Sequence, residues 1–294
     1  MIESFFLEPT PMILLTGALV AAAGALVGTF LVLQRNSMLS DAISHSIVFG
    51  IVVVWLLTHA QSGPFQIMGA AVTGMLTVFL TQLLAGTRRV KPDAAIGLVF
   101  PILFAAGVLL LNLYARDVHI DEHTVLLGEI GFVWLDTMSL FGIEMPQAVV
   151  WMGTVTLVNF AFILTFYKEL KLATFDPQLA AALGFAPTFL FYVLLALTST
   201  TAVAAFDAVG AVLFIAFVIV PPAAAYLLTD RLSLMLLFGV LIGVASSFSG
   251  YPIAVFFDVS VGGTMAAMTG VFFLLAFLLG PRHGVLAQAW RRHT

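Results

Sequence analysis

The sequence predicts an all-α integral membrane protein of about nine transmembrane helices forming one domain over residues 1–294, and three observations carry that expectation. Hydrophobic residues make up 62% of the chain and charged residues 9%, whereas soluble domains carry about 25% charged residues; the mean hydropathy is +1.13. The apolar residues fall in continuous runs near the roughly 20 residues that a spanning helix needs, not in the short alternating segments of a membrane barrel. Threading those runs through a bilayer places Lys and Arg almost entirely on one side, as cytoplasmic loops require.

The runs follow in order. Residues 12–33 are uncharged, and "MIESFFLEPTPM" at the N-terminus has neither the basic segment nor the small-residue cleavage site of a secretory signal, so this run is read as a mature span. The second and third spans are 41–58 and 65–85, joined to the first by "QRNSMLS" and to each other by a short polar link. The fourth, 94–114, follows the basic "RRVKPD". A hydrophilic segment, 115–147, separates it from the fifth span, 148–167; a re-entrant helix in that segment is left open. The next connection, 168–187, precedes the sixth span at 188–206. Only "FDA" around Asp207 interrupts apolarity before the seventh span, 208–228, in which Pro221 and Pro222 should produce a kink. The eighth and ninth spans are 233–256 and 263–280. With the N-terminus outside and the C-terminus cytoplasmic, Arg35, Arg88, Arg89, Lys91, Lys168, Lys171, Arg231, Arg282, Arg291 and Arg292 face the cytoplasm and Arg116 alone lies outside. Removing one span would destroy that asymmetry.

The residue inventory excludes several functions. There is no cysteine, hence no disulfide, thiolate metal site or thiol nucleophile. The three lysines follow Val90, Tyr167 and Leu170, never Gly, so the chain contains no P-loop. It contains neither a G-x-S-x-G elbow nor an H-E-x-x-H motif, and nothing points to nucleic acid. The ionisable groups in or beside spans are Asp41, His45, Asp93, Asp207 and Glu129. Such groups are costly in lipid and mark pathways by default, so the class is a transporter or channel surrounded by membrane lipid.

Within 168–187, "TFDPQLAAALG" reads as a short helix. Asp176 suits the N-cap, Pro177 the first helical position and Gly184 the stop, with Leu179, Ala182 and Leu183 as a small apolar stripe. Spacing alone does not decide whether that helix lies on its own protein or docks a cytoplasmic partner.

The collinear stretches "LVLQRNSMLSDAISHSIVFGI", "PDAAIGLVF", "HTVLLGEI", "KELKLATFDPQLAAALGFAP" and "FDAVGAVLFIAFVIVPPAAAYLLTDRLS" resemble the permease subunits of ABC importers for manganese, zinc and iron, from about residue 20 to residue 283. The resemblance implies a fold like that of the cobalamin-importer permeases, located in the bacterial cell membrane, with two copies enclosing the pathway. It also implies a separate cytoplasmic ATPase chain and an extracellular or periplasmic metal-binding protein as partners. ATP hydrolysis would then lie on the ATPase, and Mn²⁺, Zn²⁺ or Fe²⁺ would pass through without a permanently bound cofactor. By similarity, 171–187 would be the coupling helix, with Phe175, Asp176, Pro177, Leu179, Leu183 and Gly184 meeting the ATPase. Manganese is the first expectation, because "YKELKLATFDP" and "AAFDAVG" look closest to the manganese/iron type. Two positions depart from the family pattern: Ser40 replaces a Gly before the motif Asp, and Phe49 replaces a Pro before Gly50, which puts the local bend of the second helix in question.

Asp41 and His45 are the leading metal candidates. Their i, i+4 spacing places both side chains on one helical face, and a carboxylate with an imidazole suits Mn²⁺, Zn²⁺ or Fe²⁺ with little discrimination. Two ligands do not close a tight site, which favours release; a neighbouring helix or a second copy could add more. The competing reading has Ser40 or Asp41 capping the second helix, with Asp41 neutralising Arg35 and His45 at headgroup level. The resemblance puts the acid and the histidine on the metal path, and implies that the connection before Asp41 dips into the protein. Asp207, at the outer end of the sixth span, is a further metal candidate or else a turn residue. In the outer segment, His119, Asp121, Glu122 and His123, with Asp117, form a weaker capture surface or simply a solvated loop. Glu129 reads as an interfacial residue and Asp93 as an N-cap. A proton-driven secondary carrier working through Asp41 and His45 without an ATPase is the rival function, and a non-transporting assembly subunit is another.

Overall fold

A computed structural model describes residues 8–59, 64–114, 130–140, 143–281 and 284–285. The described chain is almost entirely helical: α1 (Pro9–Leu33), α2 (Met38–Thr58), α3 (Pro64–Gly86), α4 (Pro92–Tyr114), α5 (Gln147–Thr165), α6 (Tyr167–Phe175), α7 (Pro177–Ala182), α8 (Pro187–Leu228), α9 (Leu232–Phe257) and α10 (Val261–Leu279). Among the described residues, nine helical stretches are long and apolar enough to cross a membrane, α8 supplying two of them, Pro187–Phe206 and Ala208–Leu228. These nine match the spans expected from hydropathy to within a few residues.

The segment before α5 departs from an all-helical reading. After a short 3-10 turn at Ile130–Phe132, strands β1 (Thr137–Leu140) and β2 (Ile143–Pro146) pair antiparallel, Thr137 opposite Pro146. The turn packs on α1, α8 and α10. Residues 115–129 lie outside the described residues.

The break between the sixth and seventh spans is at Gly210, not at Asp207. The helix runs through Asp207, and Gly210 has φ 77° and ψ 169°, a region open essentially to glycine alone. The break is a geometric necessity: 42 residues in one straight helix would be about 63 Å long, twice the hydrocarbon thickness of about 30 Å. Instead the chain folds back. Phe206 and Phe214 meet edge to face at 5.6 Å, although eight residues of straight helix would separate them by about 12 Å. Pro221 and Pro222, expected to kink the seventh span, lie inside the helix, and Gly210 is the residue that leaves helical φ/ψ.

Helix α1 is the centre of the bundle, packing on α5, α8 and α9. It can do so because its face is built of small residues. Gly28 lies so close to α8 that an added Cβ would fall inside the Val218 carbonyl group. That carbonyl has no helical donor, since its i+4 partner, Pro222, has no N–H. Gly28 is the residue of α1 that packs against it. Small residues also admit α2 between its neighbours, with Gly69 and Gly74 of α3 on one side and Gly107 of α4 on the other.

Helix ends sort onto two faces. The Gln34 amide, at the end of α1, donates to Thr174 Oγ1 of α6 at 3.2 Å. Asn36, Gln82, Pro177 and Pro187 line one cavity with them, and Leu227 lies against Gly280. Arg35, Arg88, Arg89, Lys91, Lys168, Lys171 and Arg231 all belong to connections on this face. At the opposite end Thr10 and Tyr251 share a hydrogen bond of 2.8 Å.

Candidate functional site

The α1–α2 connection explains where Asp41 comes to lie. Helix α1 ends in a Schellman motif: Asn36 N–H donates to Leu31 C=O at 2.8 Å and Arg35 N–H to Val32 C=O at 3.1 Å, with Arg35 at φ 58°. The turn is therefore four residues long, and α6 covers it through the Gln34–Thr174 bond. Helix α2 starts at Met38, and its first turn is already inside the protein, Leu39 and Ser40 being fully buried.

This geometry removes the capping alternative. The N-cap position is Ser37, and the Ser40 hydroxyl donates back to Ser37 C=O at 2.8 Å. Asp41 is the fourth residue of the helix, in its first turn but past the cap, and its ion-pair partner among the described residues is His45 rather than Arg35, Asp41 Oδ1 lying 3.4 Å from His45 Nε2. Both side chains are about one third exposed, so the pair opens onto a space at the side of the bundle. Phe49, at the position of the expected Pro, leaves α2 helical from end to end.

Helix α4 supplies the wall. The His45 ring stacks on Phe100 at 5.7 Å and meets the edge of Phe104 at 6.4 Å. These two aromatics were not singled out from the sequence. Their signal, an i, i+4 aromatic pair, is common along any apolar helix. Behind the pair runs a hydroxyl seam: Ser44 donates to Asp41 C=O at 2.5 Å, and Thr77 of α3 donates to Ser46 at 2.6 Å. Asn159 of α5 reaches Thr201 of α8 at 2.8 Å, with its Oδ1 buried and unpartnered.

The donor separation is chemically informative. Two ligand atoms each about 2.1 Å from a metal at a tetrahedral angle lie about 3.4 Å apart, so Asp41 Oδ1 and His45 Nε2 already stand at the bite distance of one cation. Among the described residues no third His, Asp or Glu joins them. Asp207 lies in α8, three residues before Gly210, and its side chain is outside the described residues. Asp117, His119, Asp121, Glu122, His123 and Glu129 are also outside them. Asp93 is the second residue of α4, whose first residue is Pro92, so it is a first-turn acid favourable to the helix dipole rather than the N-cap.

The second feature is the α6–α7 pair. Asp176 caps α7, its Oδ1 accepting from Leu179 N–H at 2.9 Å; Pro177 opens the helix. Gly184, at φ +87°, ends it in a Schellman motif, with Phe185 N–H bonded to Ala180 C=O at 3.0 Å. Ala180 alone turns inward, while Phe175, Leu179 and Leu183 are exposed. An apolar stripe presented outward on the basic face suits a partner surface better than an internal seat.

Comparison with known proteins agrees with this architecture. The family model described as "ABC 3 transport family" matches residues 8–280. The chain is 49% identical over 280 residues to the manganese transport system membrane protein MntD of Bacillus subtilis, covering 95% of both chains. It is 48% identical over 279 residues to the zinc transport system membrane protein TroD of Treponema pallidum, covering 95% of this chain and 76% of that one. A solved structure, PsaBC from Streptococcus pneumoniae in complex with Fab, superposes with a TM-score of 0.80 at 27% identity, covering 96% of this chain and 95% of the other. The chain is a multi-pass membrane protein and belongs to the ABC 3 transport family.

Proposed function

We propose that this chain is the permease subunit of an ATP-driven importer of divalent transition metal ions, with manganese as the first substrate and zinc and iron handled by the same donors. The observation that carries the reading is the Asp41–His45 pair, in the first two turns of a spanning helix, open on one side and spaced to hold one cation. The relative named for manganese and the one named for zinc are equally similar, at 49% and 48%. The order of metals therefore rests on the likeness of "YKELKLATFDP" and "AAFDAVG" to the manganese/iron type.

The mechanism follows from a half-built site. Oxygen and nitrogen donors strip part of the ion's hydration, and the open side lets it leave. A second copy of the chain, facing the exposed side of α2 and α4, supplies the remaining ligands and closes the pathway. The basic face is cytoplasmic, with the N-terminus outside. A separate ATPase docks on the outward stripe of α7, and nucleotide binding moves α6–α7. The Gln34–Thr174 bond transmits that motion to the turn that carries α2. A binding protein delivers the ion at the opposite face.

The test is reconstitution of the chain with and without the ATPase, following Mn²⁺, Zn²⁺ and Fe²⁺ uptake. Uptake requires ATP and the ATPase, and Asp41→Ala or His45→Ala abolishes it while leaving assembly with the ATPase intact. Uptake driven by a pH gradient without ATP would replace this reading with a secondary carrier. Transport that survives both substitutions removes the pair from the pathway.

A further inference from the structure

A groove of about 580 Å³ runs between α1, α5 and α9. Leu19 and Leu26 of α1, Leu157 and Phe160 of α5, and Leu236 and Val240 of α9 line it. It lies on the side of the bundle away from the Asp41–His45 pair, which stands between α2 and α4. The lining follows α5 from Gly153 to Leu164, about 17 Å at 1.5 Å per residue, and goes on to Tyr167 at the start of α6, a reach that suits an extended long-chain acyl tail.

Its end on the basic face is chemically different. Tyr167 and Ser233 close the lining there. Exposed Lys168 and Lys171 follow Tyr167, and exposed Arg231 is the N-cap of α9, whose free N–H groups add positive potential. Among the described residues none of these three cations is in an ion pair. Glu169 and Asp230 are the neighbouring carboxylates, and the balance at this end stays positive. Basic residues at the membrane surface beside a cleft between spanning helices bind anionic headgroups.

We propose that this groove holds one acyl chain of an anionic phospholipid whose phosphate lies against Lys168, Lys171 and Arg231. The bound lipid joins α5 to α9 across α1 and fixes the start of α6, the element that leads into α7. The proposal depends on membrane embedding alone and not on which ion the chain carries.

Native mass spectrometry of the purified full chain, incubated with equal amounts of palmitoyl-oleoyl phosphatidylglycerol and phosphatidylcholine, tests it. One phosphatidylglycerol is retained with a preference of at least about five-fold, the factor that a single Lys or Arg near a membrane surface contributes. The combined change Lys168→Gln, Lys171→Gln, Arg231→Gln brings the preference close to one. Gly153→Phe fills the groove and abolishes retention of both lipids; a Cβ at Gly153 meets nothing within 4 Å, so the new side chain starts in open space. Leu157→Trp, at a position 67% exposed, is the second filling variant. Equal retention of the two lipids, a preference that survives the triple change, or retention unaffected by both filling variants overturns the proposal.

Discussion

The tightest helix crossing in the bundle offers a stability test whose sign can be worked out. Replacing Gly28 by Ala puts a Cβ 2.8 Å from the Val218 carbonyl carbon and 3.1 Å from Val218 Cα, where ordinary contacts begin at 3.4 Å. Both are backbone atoms of a buried helix, so no side chain can swing away, and the Val218 carbonyl oxygen lies closer still; α1 and α8 must separate by at least about 1 Å to restore ordinary contacts of 3.5–4.0 Å between carbons. Overpacking of this kind costs about 1–3 kcal/mol, and a rigid backbone neighbour places it near the upper end. Ala improves the helix itself by about 1 kcal/mol over Gly, which leaves a net loss of about 2 kcal/mol. Gly97→Ala in α4 is the matched control: nothing lies within 4 Å of its Cβ, so the helix-propensity gain of about 1 kcal/mol stands alone. The two variants should therefore differ by about 3 kcal/mol in mixed-micelle denaturant unfolding of the full chain. A Gly28→Ala protein as stable as the Gly97→Ala protein would refute the argument that this approach is limited by backbone contact.

Three further outcomes follow from the same geometry. Gly210→Ala forces an L-residue into the glycine-only region and costs about 1–3 kcal/mol in the same assay; an unchanged midpoint would show that α8 turns by another route. Asp176→Ala removes the cap of α7 at a cost of about 1 kcal/mol and should weaken binding of the ATPase about five-fold, while Asp176→Asn, itself a good cap, restores it; an Asn variant as weak as the Ala variant would shift the role to the carboxylate charge. A Ser46→Ala, Thr77→Val double-mutant cycle should return a coupling of about 0.6 kcal/mol and no more than about 1.7 kcal/mol, the range for interhelical hydroxyl bonds in membranes; zero coupling would break the seam behind the Asp41–His45 pair.

Much of the architecture was legible because hydropathy in lipid is a one-dimensional signal. A span must be continuous and of bilayer length, so all nine stretches could be read without knowing what packs on what. The α7 motif was equally legible, because Asp176, Pro177 and Gly184 each act on the backbone within a few residues of themselves. The failures were where local chemistry was ambiguous. Asp207 was read as a metal candidate or a turn residue, and the chain turns three residues later at Gly210, because backbone freedom rather than polarity decides where a helix folds back. Pro221 and Pro222 were legible as the positions where the seventh span loses two backbone donors, those for the Phe217 and Val218 carbonyls, but the packing of Gly28 of α1 against the second of these was not. The hairpin of β1 and β2 carries no strong alternation within the hydrophilic segment.

The sequence by itself determined that the protein spans a membrane, how many times, with Lys and Arg gathered on one face, and that Asp41 and His45 share a helical side. Those properties depend on apolar run length, charge placement and helical period, all of which are local. Only the tertiary structure decided that Asp41 pairs with His45 instead of capping α2. It also decided that Phe100 and Phe104 wall the pair and that α6 covers the turn before it. The last two are set by contact between residues far apart in the chain, and the first by where the α1–α2 turn lets α2 begin; all depend on how helices cross, through small residues such as Gly28, Gly74 and Gly107, which no periodicity reports.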